Sequence, residues 1–178
     1  RERFRREIDA LQRLEHENIV KVHGYGREGN FDYYVMDYVE GMELSQILRE
    51  GQLDHLERLK IFAQICAAIV HSHEHEVVHR DLKPGNVLID SSLKAHVLDF
   101  GLAKLTDATS ALTMTGSALG TPYYMSPEQV ADATKVGPKT DVFALGVVLY
   151  ELATGQRPFT GQSAGEVGDK ILTLDPPL

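Results

Sequence analysis

His79-Arg80-Asp81-Leu82-Lys83-Pro84-Gly85-Asn86 sets two oxygen-bearing side chains, Asp81 and Asn86, around a Pro-Gly pair. Such a pair makes a tight loop, so neither residue belongs to a regular helix or strand. Two short apolar runs follow, at 87–89 and 96–98, and they predict a small hairpin. Asp99 comes directly after Val97-Leu98 and before Phe100-Gly101, which puts a carboxylate at the end of a buried strand. Magnesium takes hard oxygen ligands, commonly one or two carboxylates together with substrate phosphates. Asn86 and Asp99 carry such oxygens, Asp81 can accept a proton, and Lys83 can steady a phosphate. Singly, each is equally a turn former or a solvated lysine. The combination is what points to chemistry.

The loop also begins inside a second pattern. His75-Glu76-Val77-Val78-His79 is a literal H-E-x-x-H in a stretch that holds His71 and His73 as well. Zinc peptidase chemistry needs both histidines on one face of a continuous helix. Adjacent β-branched Val77 and Val78, with Pro84 soon after, argue against a helix through this segment. Zinc is therefore not expected.

Outward from the loop, the chain alternates helical and extended patterns. Phe4, Ile8, Leu11 and Leu14 recur at helical spacing over 4–14. Extended runs at 19–25 and 33–38, separated by the turn-prone 26–30, predict an antiparallel pair. A bend at Gly41 leads to a short helix over 44–48. From 54 to 75 the apolar stripe is Leu56, Leu59, Phe62, Cys66, Ile69 and Val70. Residues 106–120 are rich in Thr, Ser, Ala and Gly without periodicity and predict a mobile surface loop. The stretch 141–153 is apolar nearly all round and predicts a buried helix, stopped by Gly155 and Pro158. Asp141 at its head reads as an N-terminal cap or as a charge complementing the helix dipole. The fold class is α+β, mostly helical, in one domain.

Composition narrows the class. The chain has 178 residues, 43% hydrophobic and 25% charged, as in ordinary globular domains. A formal net charge of -8 argues against nucleic acid as a partner. One cysteine, Cys66, permits neither an intrachain disulfide nor a cysteine zinc cluster. No apolar run reaches the roughly 18–20 residues that span a bilayer.

In their order along the chain, three motifs resemble those of the eukaryotic-like protein kinases, in particular the bacterial receptor-type serine/threonine branch. His79 to Asn86 resembles the catalytic loop, Asp99-Phe100-Gly101 the magnesium triplet, and Ser126-Pro127-Glu128 the position of Ala-Pro-Glu. The resemblance implies ATP and Mg2+ as cofactors and Ser/Thr hydroxyls of proteins as substrates. It makes Asp81 the catalytic base, Lys83 a contact to the transferred phosphoryl group, and Asn86 and Asp99 the metal ligands. Met36 is then the gatekeeper, the backbones of Asp37 and Val39 face adenine, and Leu88 forms the floor of its pocket. Glu7 resembles the helix αC glutamate, and Leu11, Val22, His79 and Phe100 the stacked regulatory spine that Asp141 anchors. Lys83 and Thr121 match the serine/threonine branch. Arg80 directly before Asp81 resembles kinases switched on by loop phosphorylation, and Thr113 and Thr115 are the expected phosphosites.

On this resemblance, residues 1–36 are the remnant of the N-lobe, 37–43 the hinge and 44–178 an incomplete C-lobe. The Gly-rich loop and the strand lysine that would pair with Glu7 are not in the sequence, nor is an arginine partner for Glu128. The chain is expected to be a truncated piece, inactive by itself, of a cytoplasmic kinase domain whose parent is compatible with membrane anchoring. A non-catalytic binding module is the alternative.

Overall fold

A computed structural model describes residues 10–29, 31–100, 122–132 and 135–177, apart from the Asp32 side chain. The predicted positions Glu7, Gly101, Thr113, Thr115 and Thr121, and the loop at 106–120, lie outside the described residues.

After helical residues 10–12, strand β1 (Val22–Glu28) pairs antiparallel with β2 (Phe31–Met36). The pair was expected, but the turn is tighter than the composition implied. Glycine-rich 24–28 stays in the ladder, and the chain reverses at Gly29, whose φ of 60° lies in the left-handed region open to glycine. Asp37 at the end of β2 donates its amide to the Lys21 carbonyl at 2.9 Å, closing the pair.

A second sheet has the order β3 (Met42–Glu43), β4 (Val87–Ile89) and β5 (Ala95–Val97), all antiparallel. The β4–β5 hairpin was legible in the sequence, displaced by one residue on its second arm. The two-residue β3 was not. It fits because Gly41 has no side chain: a Cβ there would sit 2.7 Å from the Ile89 carbonyl oxygen. Ile19 makes an isolated parallel bridge to Val97, which joins the segment before β1 to this sheet.

Helix α1 spans Leu44–Glu50 and α2 His55–Glu74. Helix α2 starts with a capping box: the Asp54 carboxylate accepts from the Glu57 amide at 2.8 Å, and the Glu57 carboxylate accepts from the Asp54 amide at 2.9 Å. Its length matches expectation, but its buried face does not. Ile61, Ile65, Ala68, Ile69 and Ser72 are buried, while Leu56, Leu59 and Val70 are exposed. Two apolar stripes overlap on this helix, and spacing cannot tell which one finds a partner.

Helices α3 (Pro127–Ala131), α4 (Pro138–Thr154) and α5 (Ala164–Thr173) complete the described fold. Helix α4 ends at Gly155 in the left-handed conformation. It buries Ala144, Val148 and Leu152 in the same core as α2, and Val147 is buried as well, but Val142 is 61% exposed, so the helix is not covered all round. That core gathers Leu14, Leu44, Ile61, Ile65, Leu82, Val87, Val97 and Leu152. Each such side chain contributes about 1.5–3 kcal/mol on burial. Val87, Ile89, Ala95 and Val97 of the β4–β5 hairpin belong to this core, and the His79–Asn86 loop runs directly into β4.

Candidate active site

Leu82 anchors the His79–Asn86 segment, being 1% exposed in the main core. The flanking residues are held by hydrogen bonds that reach far along the chain. Helix α4 begins at Pro138 with Gly137 as its cap, so Asp141 is not the N-cap that its position allowed. It stands in the first turn, where a carboxylate suits the helix dipole. Its oxygens accept the backbone amides of His79 and Arg80, both at 2.8 Å, and also bond His73 Nε2 at 2.7 Å. Arg80 has φ 70°, a backbone region uncommon for non-glycine residues, and Asp141 is what holds it there. Gln129 of α3 donates to the Arg80 carbonyl at 2.7 Å from the other side.

His79 is fully buried against Phe100, with ring centroids 4.6 Å apart. Its Nε2 bonds the Leu98 carbonyl at 2.9 Å, and its Nδ1 accepts the Asp81 amide at 3.3 Å. A carbonyl only accepts and an amide only donates, so the two bonds together require the neutral ring protonated at Nε2. Burial pushes its pKa below the ordinary histidine value, against the opposing pull of Asp141 and Asp81. The ring is a neutral strut between the loop and the strand that leads to Asp99.

Around Asp81 the polar groups converge. Lys83 Nζ donates to Asp81 Oδ2 at 2.7 Å, and Asn86 Nδ2 donates to the same oxygen at 3.0 Å and to the Asp81 carbonyl at 2.8 Å. Asp81 Oδ1 is thereby left as the oxygen turned to other partners. With Nδ2 of Asn86 committed to Asp81, its Oδ1 is the atom available to a metal. The Leu98 amide donates to the Asn86 carbonyl at 2.9 Å, which sets Asp99 beside Asn86. Asp99 has φ 57° and accepts the Tyr34 hydroxyl on Oδ1 at 2.5 Å. Burial, reinforced by that bond, raises the Tyr34 pKa well above the ordinary phenol value. Amide and carboxylate oxygens on neighbouring segments are the donor chemistry that magnesium takes, so these residues fit the ion.

The other predicted positions are spread around this centre. Leu11, Val22 and Phe100 are buried, and with Met36, Tyr34 and Asp99 they line one small cavity. Met36 is 39% exposed at the end of β2. Asp37 pairs through its carboxylate with His23 at 2.6 Å, and Val39 is half-buried. Leu88 faces away from the core, half-buried between buried Val87 and Ile89. Glu128 accepts the Thr140 hydroxyl at 2.8 Å. Partial burial alone would raise its pKa, but hydrogen bonds from its own amide, Thr140 and Ser126 hold it below the ordinary carboxylate value.

The H-E-x-x-H segment divides into unrelated roles. Helix α2 ends at Glu74, and Glu76 takes φ 60°, so the two histidines do not share a helical face. His75 lies against His71 with the rings tilted and their centroids 4.3 Å apart, while His79 is sealed inside the core. Sequence reasoning missed three participants: His73, Gln129 and Tyr34. Each acts across tens of residues; Gln129 does complete a capping box with Ser126, but that spacing marks a helix start and not its bond to Arg80.

The model of the protein kinase domain family matches residues 1–174. The chain belongs to that family. It is 46% identical over 178 residues to the serine/threonine-protein kinase PrkC of Bacillus subtilis, covering 98% of this chain and 27% of that protein. It is 42% identical to the serine/threonine-protein kinase pkn3 of Myxococcus xanthus, covering 98% of this chain and 34% of that protein. It therefore spans about a third or less of the length of these curated relatives. Among solved structures it resembles Rad53 residues 1–466 in complex with AMP-PNP, at 29% identity and a TM-score of 0.75, covering 94% of this chain and 42% of that one. That likeness is to a protein kinase fold, mixed in helix and strand with a partial N-lobe here. Among the described residues, no helix of this kinase-family chain is long and apolar enough to cross a membrane.

Proposed function

We propose that the chain carries the catalytic segment of an ATP-dependent protein serine/threonine kinase, which transfers the γ-phosphoryl group of ATP to Ser or Thr hydroxyls of proteins. The observation that carries this reading is the polarisation of Asp81. Lys83 and Asn86 both bind Oδ2, which directs Oδ1 toward an incoming hydroxyl. In this reading Asp81 orients and takes the proton of that hydroxyl, and Lys83 turns from Asp81 toward the transferred phosphoryl group. Asn86 and Asp99 would hold magnesium, which supplies charge neutralisation on the phosphates when bound. Preorganised charge of this kind is the main source of rate in such transfers.

The adenine would lie against Leu88 and the segment from Met36 through Asp37 to Val39. The division into an N-lobe remnant at 1–36, a hinge at 37–43 and a C-lobe at 44–178 belongs to the same reading. So do the roles of Glu7 and Thr121, the regulatory pairing of Arg80 with a phosphorylated Thr113 or Thr115, and the placement of the domain in the cytoplasm. The relatives named serine/threonine-protein kinase support the choice of hydroxyl substrate.

The test is transfer of labelled γ-phosphate to a general protein substrate by the full gene product, followed by phosphoamino-acid analysis. Phosphoserine and phosphothreonine are expected, and Asp81→Asn should lower the rate by about 10²–10⁴-fold. An unchanged rate in Asp81→Asn, or phosphotyrosine alone, would overturn the proposal.

A further inference from the structure

The Tyr34 hydroxyl is unexplained by any motif in the sequence. Tyr34 is half-buried on β2, and its hydroxyl donates to Asp99 Oδ1 across 65 positions of chain. The cavity behind it is lined by apolar Leu11, Leu14 and Val22, with Asp99 as its polar partner. A phenol in such a place is costly unless its hydrogen bond is made, so the contact fixes both groups. Asp99 needs fixing, because its backbone sits at φ 57° and the strand before it, β5, ends at Val97. Side chains two apart on a strand share a face, so Tyr34 and Met36 line the same cavity. Strand β2 then runs directly into Asp37.

We infer that Tyr34 is a positioning residue for the metal ligand Asp99: its hydroxyl occupies Oδ1, turns Oδ2 toward the metal, and ties that carboxylate to the strand leading into the adenine-facing segment. The inference rests on the kinase reading above. It concerns how Asp99 is held, which that reading leaves open. A carboxylate with one oxygen committed to a neutral donor binds a cation through the other at a set angle, and partners of this outer kind govern affinity.

The experiment measures binding of AMP-PNP to the full gene product by calorimetry over a range of Mg2+ concentrations. Tyr34→Phe keeps the ring and removes the donor. It should raise the half-saturating Mg2+ concentration by about tenfold or more, with metal-free nucleotide affinity unchanged. Tyr33→Phe, on the neighbouring exposed ring, should leave the Mg2+ dependence as in the parent. Asp99→Asn should weaken it further than Tyr34→Phe. If Asp99→Asn weakens Mg2+ binding but Tyr34→Phe does not, the Tyr34 inference fails and the metal assignment stands. Tighter Mg2+ binding by Tyr34→Phe would likewise overturn it, since the phenol would then be competing with the metal. If Asp99→Asn has no effect, the metal assignment itself falls. A second readout needs no mutant at the site: the 13C-labelled Tyr34 ring should shift on adding Mg2+ to the nucleotide complex, and a ring that does not shift overturns the inference.

Discussion

The carboxylate of Asp141 accepts the backbone amide of Arg80 at 2.8 Å, linking helix α4 to a loop 61 positions earlier in the chain. The same carboxylate holds the His79 amide and the His73 ring and is itself fully buried. One charged side chain thus fixes the backbone from which Asp81 projects. Asp141→Asn keeps the volume but replaces one accepting oxygen by a donor that faces an amide or the histidine. Urea unfolding should show a loss of about 2 kcal/mol, the scale of a buried hydrogen bond to a charged group. Phosphoryl transfer should fall with it, because the loop loses its left-handed turn at Arg80.

Lys83 should behave in the opposite way. Its ion pair with Asp81 is 2.7 Å long, but both side chains are about two-fifths exposed, at 40% and 42%. Solvent screens such a pair, so Lys83→Met should change unfolding stability by less than about 0.5 kcal/mol. Transfer of phosphate should nonetheless drop by about a hundredfold, if Lys83 stabilises charge on the moving group. A stability loss as large as that of Asp141→Asn would show that the lysine is structural.

Gly41 should tolerate no side chain. A Cβ would lie 2.7 Å from the Ile89 carbonyl oxygen, which is backbone and cannot swing aside. Gly41→Ala should therefore push β3 off β4 and cost about 1–3 kcal/mol in urea unfolding, as overpacking does. Nucleotide affinity should weaken in the same variant, since β3 follows directly on the segment from Asp37 to Val39.

Acid should destabilise the fold through His79. Its folded pKa is depressed, by burial above all, below the ordinary 6.5. The unfolded chain then binds the proton first, so stability is full above about pH 6.5 and is lost as the pH falls below that value. Burial, together with the neighbouring His75 and His16, also lowers the pKa of His71, and that ring adds to the same limb. Urea midpoints measured between pH 7.5 and 5 should fall on the acid side. His79→Tyr should flatten only part of that fall, leaving the share of His71. A pH-independent midpoint in the parent would contradict the neutral, buried ring.

How much of this was legible beforehand follows from the range of the interactions. The segment 79–86, the carboxylate at Asp99 and the hairpin between them could be read directly, because loop formers, alternation and ligand chemistry are properties of a few adjacent residues. Helix α2 could be read too, since its cap Asp54 and partner Glu57 lie three residues apart. Its buried face could not, because Leu56 and Leu59, three apart, and Ile61 and Ile65, four apart, both fit helical spacing. Asp141 was visible as an anomaly on an apolar helix, but capping and anchoring were equally physical until its partners were placed.

The sequence by itself therefore determined the family, named the residues proposed to do the chemistry, and argued against a helix through the overlapping histidine pattern. Only the tertiary structure decided what holds those residues in position. His73, Gln129 and Tyr34 meet Asp141, Arg80 and Asp99 over separations of 68, 49 and 65 positions. Such pairs leave no local period to detect. They arise because packing closes the chain on itself and buried polar groups then take the partners that packing supplies.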